Sequence, residues 1–510
     1  MRKIEQLYFG PPGCGKTYTL MQVIRDLMGE DGIPPHQIAF CSFSRKAIQE
    51  ARERAGSDLS LSKEETPHFR TLHSTCYHAL GLSSSQVMGS EDYKEIGRGM
   101  HHNLNFDAEV DDSTGLTTTS NPYLRCIELS RARQTSLESE FKRINNPTMH
   151  WTLQEQIDAN IKIYKQEKEK FDFADMLSLF AKGQGSAPEI EALIVDEAQD
   201  LTALQWAVVR RLKQTASRIF YAGDDDQAIH RWAGVEVSRF TGCTENKIVL
   251  DQSYRVPRKV HALAESIVCR IKNRYQKTWR PTNQDGNISF NLNVWDLNLD
   301  HGSWTIMGRT NRLLVPIMQE LSENGYLYED SNGNTNISQR ILTAKVTWEN
   351  LASGGQVDLN SIRSLYEQMP KNNKILKRGA SSFLDTLDPE IPHTITALQE
   401  SDKFLATNNM PWFEVIKGVN DSTRAKFDAV LRREGSKGLS NPRIKVSTIH
   451  RMKGGEDDNI ILLSDTSYAA NKYGDIDDER RVFYTGVTRA KQKLHIIEPQ
   501  TKTYFQELML

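Results

Sequence analysis

The sequence predicts an α/β fold with two parallel-sheet lobes, each interrupted by a mainly helical inserted subdomain. Three observations indicate this fold class. Short apolar runs alternate with helical patterns along much of the 510-residue chain, a glycine-rich motif follows the first run, and three later runs end in acidic or polar clusters. Alternating strands and helices form parallel sheets, whose ligand sites lie at the carboxyl ends of the strands. The alternation lapses twice, after about residue 81 and after about residue 330, where the insertions are expected.

The first element to be justified is the glycine-rich motif GPPGCGKT at residues 10–17. It matches the phosphate-binding P-loop pattern G-x-x-x-x-G-K-[ST], and it lies between a predicted strand at residues 7–9 and a predicted helix at residues 16–28. In such a loop the backbone N–H groups and the helix N-terminus cradle a polyphosphate. Lys16 would reach the β- and γ-phosphates, and the hydroxyl of Thr17 would hold Mg²⁺. The other interpretation is a glycine-rich turn that matches by chance. The motif alone indicates binding of a nucleoside triphosphate, with contacts from Gly10, Pro11, Pro12, Gly13, Cys14, Gly15, Lys16 and Thr17.

The composition excludes several other classes of protein. Hydrophobic residues make up 38% and charged residues 25% of the chain, which is ordinary for a globular protein. No apolar run approaches the roughly 20 residues of a membrane-spanning helix, and no signal peptide is recognisable, so we expect a cytoplasmic protein without a membrane partner. The six cysteines form no C-x-x-C pair, which argues against a zinc site or a disulfide framework. Because the net charge is −2, a nucleic-acid partner must be met by local basic and aromatic groups.

Acidic and polar clusters follow three predicted strands of the first lobe. They are DEAQD at 196–200, GDDDQ at 223–227 and DQSYR at 251–255. In the first cluster, Asp196 would hold Mg²⁺ through water, and Glu197 would orient and deprotonate an attacking water molecule. The plainer interpretation of such a pair is a solvated acidic turn, and the P-loop upstream favours the functional one.

Four further residues are candidates for contacts with the nucleotide. Gln227 is a candidate sensor of the γ-phosphate and the attacking water. Tyr254 offers an aromatic face for the base, and Arg255 offers a guanidinium for the γ-phosphate. Near the C-terminus, Arg489 is a candidate arginine finger, supplied by the second lobe to the phosphate site of the first. Each candidate has a plainer alternative. GDDDQ could be a polar β-turn, Tyr254 and Arg255 could be an ordinary surface pair, and Arg489 could be one more arginine in a basic stretch.

The order of the motifs resembles that of a known enzyme family. The matching stretches are GPPGCGKT (10–17), AFCSFSRKAIQEARERA (39–55), FRTLHS (69–74), LIVDEAQDL (193–201), YAGDDDQAIHRWAGV (221–235), DQSYR (251–255), VSTIHRMKGGEDDNIILL (446–463) and ERRVFYTGVTRAK (479–491), with TIMGRTN (305–311) opening the second lobe. Together they resemble the motifs of superfamily 1 helicases, and the combination of GDDDQxxxRWxG with YTGVTRAK is typical of the UvrD/Rep/PcrA group. The resemblance covers the chain except for the two insertions, and it implies two RecA-like motor lobes.

The resemblance also implies which residues contact DNA and the sugar of the nucleotide. Phe43 and Trp232 would be aromatic platforms for single-stranded bases, each stack being worth ~1–3 kcal/mol. Glu456 would hydrogen-bond the ribose. The residues implied to contact the DNA backbone are Arg45, His73, Thr448 and His450. The two aromatic residues could instead simply pack in the hydrophobic core. The four residues implied to contact the backbone could instead be ordinary polar residues with hydrogen-bond partners inside the protein.

The sequence departs from the family pattern in places. Nine residues precede Gly10, which are too few for the upstream glutamine motif that reads adenine in the family. Base selection is therefore expected to depend on Tyr254 and Tyr18. Ala233 stands where a basic residue is common, and Arg451 is a candidate to restore that charge.

These motifs divide the chain into alternating segments of lobe and insertion. The expected segments are the first lobe at 1–80 and 171–257, its helical insertion at 81–170, the second lobe at 258–329 and 441–510, and its insertion at 330–440.

The function implied by the resemblance is that of an ATP-dependent DNA helicase, with ATP and Mg²⁺ as cofactors. It would translocate 3′→5′ on single-stranded DNA and separate strands at single-strand/duplex junctions, in DNA replication or repair. One alternative is a translocase that clears proteins from single strands with little unwinding, which suits the shorter second insertion. Another is a catalytically idle DNA-binding scaffold, against which the intact Lys16, Glu197 and Arg489 argue. Because no further carboxylate cluster stands outside these motifs, a nuclease is not expected.

Overall fold

The computed structural model describes residues 3–104, 109–110, 117–372, 374–435, 442–468, 470 and 474–509. Its strands are β1 (Ile4–Phe9), β2 (Ile38–Ser42), β3 (Phe69–Thr71), β4 (Glu109–Val110), β5 (Thr117–Thr118), β6 (Ala192–Asp196), β7 (Arg218–Gly223), β8 (Lys247–Val249), β9 (Asn287–Asn291), β10 (Trp304–Gly308), β11 (Tyr328–Asp330), β12 (Ile444–Thr448), β13 (Asp457–Leu463) and β14 (Ala490–Ile497).

The described helices lie around these strands. They are α1 (Lys16–Gly29), α2 (Arg45–Leu59), α3 (Leu72–Ala79), α4 (Ser90–Gly99), α5 (Pro122–Ala132), α6 (Leu137–Ile144), α7 (Trp151–Glu167), α8 (Phe173–Ala181), α9 (Ala203–Leu212), α10 (Val237–Thr241), α11 (Arg258–Val268), α12 (Asn311–Glu323), α13 (Gln339–Ala352), α14 (Leu359–Gln368), α15 (Ser381–Leu384), α16 (Ile395–Gln399), α17 (Trp412–Val415), α18 (Asp421–Glu434) and α19 (Ile476–Val487). None of the helices described is long and apolar enough to cross a membrane.

The first lobe is built on a six-stranded sheet with the order β3-β2-β6-β7-β1-β8. All of its strand pairs are parallel. Strands β2 and β6 are apolar and fully buried because helices cover both faces: α1 and α2 pack on one face, and α3, α8 and α9 on the other. Parallel register places all carboxyl ends at one edge, so Gly223 lies beside Phe9, and Asp196 lies beside Ser42.

The second lobe repeats this architecture with the strand order β11-β12-β10-β13-β14-β9, again all parallel. Its two hydrophobic cores lie on opposite faces of the sheet, one under α11 and α19 and the other under α12. The fold class predicted from the sequence, two parallel-sheet lobes with inserted helices, is confirmed.

The two inserted regions have hydrophobic cores of their own. In the first, α4, α5 and α7 enclose a small core that includes the fully buried Ile157 and Cys126, and β4 pairs with β5 as an antiparallel ribbon. In the second, helices α13 to α18 surround a larger core centred on Trp348, Leu365 and Phe427. Each insertion therefore packs largely around itself, which leaves the carboxyl edges of the two sheets to form the site.

Candidate functional site

The turn after β1 has the geometry of a phosphate cradle. The N–H of Gly10 donates to the carbonyl of Gly223 at 2.9 Å, and the Nζ of Lys16 donates to the carbonyl of Gly10, also at 2.9 Å. A Cβ on Gly10 would lie 2.0 Å from Cγ of Lys16, and Gly13 adopts a φ of 72° with Arg255 packed against it. Only glycine fits these positions, and the loop then enters α1 at Lys16.

The P-loop forms one wall of a cavity of about 320 Å³ between the two lobes. Contributions from the first lobe come from the ends of β1, β2, β6 and β7, from α2 and from the segment after β8, and those from the second lobe come from the turns after β12 and α19. Of the residues predicted to bind nucleotide or metal, those that line the cavity are Pro12, Gly13, Cys14, Gly15, Lys16, Thr17, Tyr18, Asp196, Glu197, Gln227, Tyr254, Arg255, Glu456 and Arg489. The structure thus brings together motifs that lie up to several hundred residues apart in the sequence.

The end of β6 supplies the acidic wall of this cavity. Burial, and then the neighbouring Glu197, raises the pKa of Asp196. Burial would also raise the pKa of Glu197, but Lys16 and Lys453 more than offset it and lower that pKa. Glu197 is held in the left-handed region at a φ of 52°, and the side-chain amide of Gln199 donates to its carboxylate at 2.5 Å. Glu197 is therefore ionised and fixed in orientation.

Asp196 and Thr17 are the residues that would hold a magnesium ion. Both line the cavity beside the P-loop, and burial together with the neighbouring carboxylate of Glu197 raises the pKa of Asp196, although Lys16 opposes the shift. Oxygen ligands of this kind suit Mg²⁺, which keeps most of its bound water in such sites. The side chains present therefore fit the ion.

A lysine of the second lobe reaches across the cavity to this acidic wall. The Nζ of Lys453 contacts the carboxylate of Asp200, donates to the carbonyl of Gln227 at 2.9 Å, and lies 3.5 Å from Glu197. Burial raises the pKa of Asp200 to about 6, although Lys453 opposes the shift. Asp200 was not predicted as a site residue, although its place in DEAQD was a signal for it.

Arg489, the second residue after the end of α19, also reaches from the second lobe to the first. Its side chain is 1% exposed, and its guanidinium donates to Gln227 Oε1 at 2.7 Å and to the carbonyls of Thr485 and Gly455 at 2.9 and 3.2 Å. Burial, followed by the nearby Arg255, lowers the pKa of Arg489 to about 9. An anion placed beside this guanidinium would therefore be strongly favoured.

The opposite end of the cavity is aromatic and open. Tyr254 and Tyr18 are 77% and 58% exposed, and the N–H of Tyr254 donates to the carbonyl of Gly13 at 2.8 Å. The Nε of Arg255 donates to the carboxylate of Glu456 at 2.5 Å. This end can accept a flat ring against a tyrosine face, with a charged pair between it and the phosphate cradle.

Several of the residues expected to contact DNA lie around the buried imidazole of His230. Phe43 is 5% exposed, and its ring lies 5.5 Å from that of His230, which lies 6.3 Å from Trp232 and 5.9 Å from His450. His230 was not predicted, although it lies between Gln227 and Trp232 in one motif. Burial lowers the pKa of His230 and that of His450, so this row of rings joins the lobes as neutral groups.

The other predicted DNA contacts lie on the first lobe and at the end of β12. Phe43, Arg45 and His73 line an open cavity of about 640 Å³, and burial, then Arg45, lowers the pKa of His73 to about 4. Thr448 is buried at the end of β12, where its hydroxyl accepts the N–H of Arg451. The guanidinium of Arg451, expected to restore the charge missing at Ala233, contacts Ser331 and Asn332.

The half-buried Trp232 packs against the first insertion. The guanidinium carbon of Arg125, on α5, lies 5.7 Å from the centre of the indole. The neighbouring Gly234 has a φ of 94° and approaches Ala132 and Arg133 so closely that a Cβ would lie 3.3 and 3.2 Å from their side chains. The first insertion therefore borders the predicted base platform.

Comparison with known proteins identifies the family of this chain. Residues 6–247 match the model of the UvrD/REP helicase N-terminal domain, and residues 395–501 match that of the UvrD-like helicase C-terminal domain. The ATP-dependent DNA helicase PcrA of Bacillus subtilis is 22% identical over 80% of this chain and 56% of its own length. A protein of Mycoplasma genitalium named "Probable DNA helicase II homolog" is 21% identical over 97% of this chain and 82% of its own.

Among solved structures, an arterivirus nonstructural protein 10 (helicase) matches with a TM-score of 0.35 and 10% identity, over 98% of this chain and 60% of its own. The chain spans a little over half the length of PcrA from Bacillus subtilis. The two matched helicase domains cover more than half of the sequence and lie on the two lobes that enclose the cavity, and the chain belongs to the UvrD-like helicase family.

Proposed function

We propose that this chain is an ATP-dependent DNA helicase that moves 3′→5′ along single-stranded DNA and separates duplex strands at the cost of ATP hydrolysis. The observation that carries this proposal is the meeting of the two lobes over one cavity. Lys16, Glu197 and Gln227 from the first lobe face Lys453 and Arg489 from the second. Because Lys453 and Arg489 of the second lobe face the phosphate cradle of the first, hydrolysis depends on closure of the two lobes. The polarity rests on the family resemblance.

In the proposed reaction, the P-loop amides and Lys16 bind the β- and γ-phosphates of ATP. Glu197, ionised by Lys16 and Lys453, accepts a proton from the attacking water. Gln227 orients that water, and Arg489 neutralises charge that develops on the transferred phosphoryl group. A magnesium ion held by Thr17 and Asp196 would supply further positive charge at the phosphate oxygens.

Movement along DNA follows from contacts that the same motifs make on their other side. Gln227, which touches Arg489, is followed within five residues by His230 and Trp232, and His230 packs on Phe43 and His450. A change at the γ-phosphate would therefore be transmitted through this row of rings to Trp232, on which bases would stack. Stacking is tolerant of sequence, as stepping along DNA requires.

The proposal is tested with tailed duplexes. Strand displacement is measured on duplexes with a 3′ tail, a 5′ tail or blunt ends, together with ATP hydrolysis in the presence of single-stranded DNA. The expected result is stimulated hydrolysis and displacement on the 3′-tailed duplex, both lost in Lys16→Ala. Displacement confined to 5′ tails would refute the polarity. Absence of stimulated hydrolysis would refute the motor function and favour a scaffold.

A second experiment, removal of a protein obstacle from the strand, distinguishes a helicase from a translocase that does not unwind. If single-stranded DNA stimulates hydrolysis but no duplex is unwound, streptavidin bound to a biotinylated strand replaces the duplex as the obstacle. Displacement of streptavidin without unwinding would favour a translocase that clears proteins from single strands.

A further inference from the structure

Three consecutive carboxylates lie buried together directly before Gln227. Asp224, Asp225 and Asp226 are each fully buried, and one oxygen of each lies within 4.8 Å of the others. Such a group requires compensating positive charge, because unpaired buried charges cost several kcal/mol each. The geometry could hold a cation, and the chain supplies one in Lys277.

The ammonium group of Lys277 lies among all three carboxylates. Its Nζ is 3.0 Å from Asp224, 2.6 Å from Asp225 and 2.5 Å from Asp226, and its side chain is fully buried. Burial alone would lower the pKa of Lys277, but the three carboxylates more than offset it and raise that pKa. The acidic turn is therefore assembled around a permanently charged lysine.

Lys277 belongs to a segment that contacts both lobes. This segment, residues 270–281, lies between α11 and β9 and is called the strap below. On the first lobe, the ring of Tyr275 stacks on Phe9 with a centroid distance of 4.2 Å and an angle of 4°. The backbone N–H of Tyr275 donates to the carboxylate of Asp225 at 2.7 Å. The guanidinium of Arg274 forms a bidentate salt bridge with the carboxylate of Asp226, at 2.8 and 2.6 Å.

The same strap is held by the helix that leads to Arg489. The N–H of Lys272 donates to the carboxylate of Asp477, on α19, at 3.0 Å. Arg481, also on α19 and 1% exposed, donates to the carbonyl of Asn273 at 2.7 Å and to that of Asp225 at 3.0 Å. Strap, acidic turn and α19 therefore form one buried polar junction.

This junction determines which end of the Gln227 amide faces Arg489. Gln227 Nε2 donates to the carboxylate of Asp224 at 2.7 Å, and Gln227 Oε1 accepts from Arg489 at 2.7 Å. A carboxylate beside an ammonium group only accepts hydrogen bonds, so the amide must turn its NH₂ towards Asp224. Its oxygen is then directed to Arg489. The guanidinium of Arg489 only donates, so it requires the same orientation, and Asp224 holds the end of the amide that Arg489 does not contact.

We propose that Lys277 is a positioning residue for ATP hydrolysis, which acts through Asp224 to fix the orientation of Gln227 against Arg489. The inference rests on the proposed function, because it assigns Lys277 a role in that reaction. The strap is anchored on both lobes, so the orientation of Gln227 depends on their arrangement as well as on the bound nucleotide.

The test compares Asp224→Asn and Lys277→Met with the wild type, measuring kcat for DNA-stimulated hydrolysis and the Kd for a fluorescent ATP analogue. Asp224→Asn is the safer variant, because it removes a buried charge without changing shape, and asparagine, which can donate as well as accept, no longer secures the NH₂ end of Gln227. Each variant is expected to lose about 100-fold in kcat, since small displacements of catalytic groups have effects of that size. The Kd, set by the P-loop, is expected to change less than about twofold.

A double-mutant cycle with Gln227→Ala separates positioning from a structural role. If Asp224 and Lys277 act through Gln227, then Asp224→Asn causes no further loss of kcat in the Gln227→Ala background. An equal loss in both backgrounds, or a kcat of Asp224→Asn within twofold of wild type, would overturn the inference while leaving the proposed function intact. Absence of stimulated hydrolysis in the wild-type protein would instead refute the proposed function and this role with it.

Discussion

Replacing Arg489 tests whether this buried side chain completes the catalytic site. In Arg489→Ala the guanidinium leaves three hydrogen-bond acceptors behind, on Gln227, Gly455 and Thr485. At about 1 kcal/mol for each lost hydrogen bond, the free energy of unfolding is expected to fall by about 3 kcal/mol. The catalytic effect should be larger. Arginine fingers contribute at least about 10³-fold to kcat, which corresponds to about 4 kcal/mol of transition-state stabilisation.

The assay measures phosphate release with saturating single-stranded DNA, alongside urea unfolding and binding of a fluorescent ATP analogue. Arg489→Lys keeps the charge but loses the forked geometry, so kcat should still fall by about 10²-fold with less loss of stability. Arg433→Ala is the matched control. Arg433 donates to Asp300 and Tyr326 away from the cavity, and its loss should lower stability while kcat stays within about threefold. A folded Arg489→Ala protein with near-normal kcat would refute the reasoning.

Three further substitutions test the rest of the site. Lys16→Ala should abolish ATP hydrolysis while part of the single-strand binding remains, as measured by fluorescence anisotropy, because Lys16 lies on the nucleotide side of the first lobe. Glu197→Gln should bind ATP and stop turnover, since the amide cannot accept the proton from water; filter binding and single-turnover kinetics check both. Trp232→Ala should lose ~1–3 kcal/mol of single-strand affinity, and Arg125→Ala, which frees the indole face, should lose far less.

Specific outcomes would contradict these expectations. Turnover at the wild-type rate in Lys16→Ala would remove the P-loop assignment, and full activity of Glu197→Gln would exclude its role as base. Unchanged unwinding and DNA affinity in Trp232→Ala would favour simple packing of the indole.

Much of the first lobe could be predicted because its strands are short, apolar and buried on both faces. The run at 192–195 and the acidic cluster after it identified β6 and the edge where the site lies, since burial in a parallel sheet leaves an uninterrupted apolar pattern. The P-loop placed the start of α1 at Lys16 correctly. These features depend on local sequence alone.

Three of the four edge strands of the two six-stranded sheets were not predicted, whereas the fourth, β8, was. β3, β9 and β11 each pair on one side only, so they need little apolar character, and their sequences FRT, NISFN and YED carry none of the continuous pattern. The strap and its Lys277 were missed for a related reason. The role of Lys277 depends on contacts across about fifty residues of sequence, which no local pattern records.

The order in which the site is assembled along the chain has a consequence for protein synthesis. All P-loop and β6 residues of the site lie before residue 200, whereas Arg489 follows α19 near the C-terminus, and β9 has to await β14 before it can pair. At about 5–20 residues per second, the ribosome needs roughly 10–50 s to pass from residue 255 to residue 489. During that interval, a nascent first lobe would carry the P-loop without Arg489, so under the proposed function ATP turnover is expected only after residue 489 has been added.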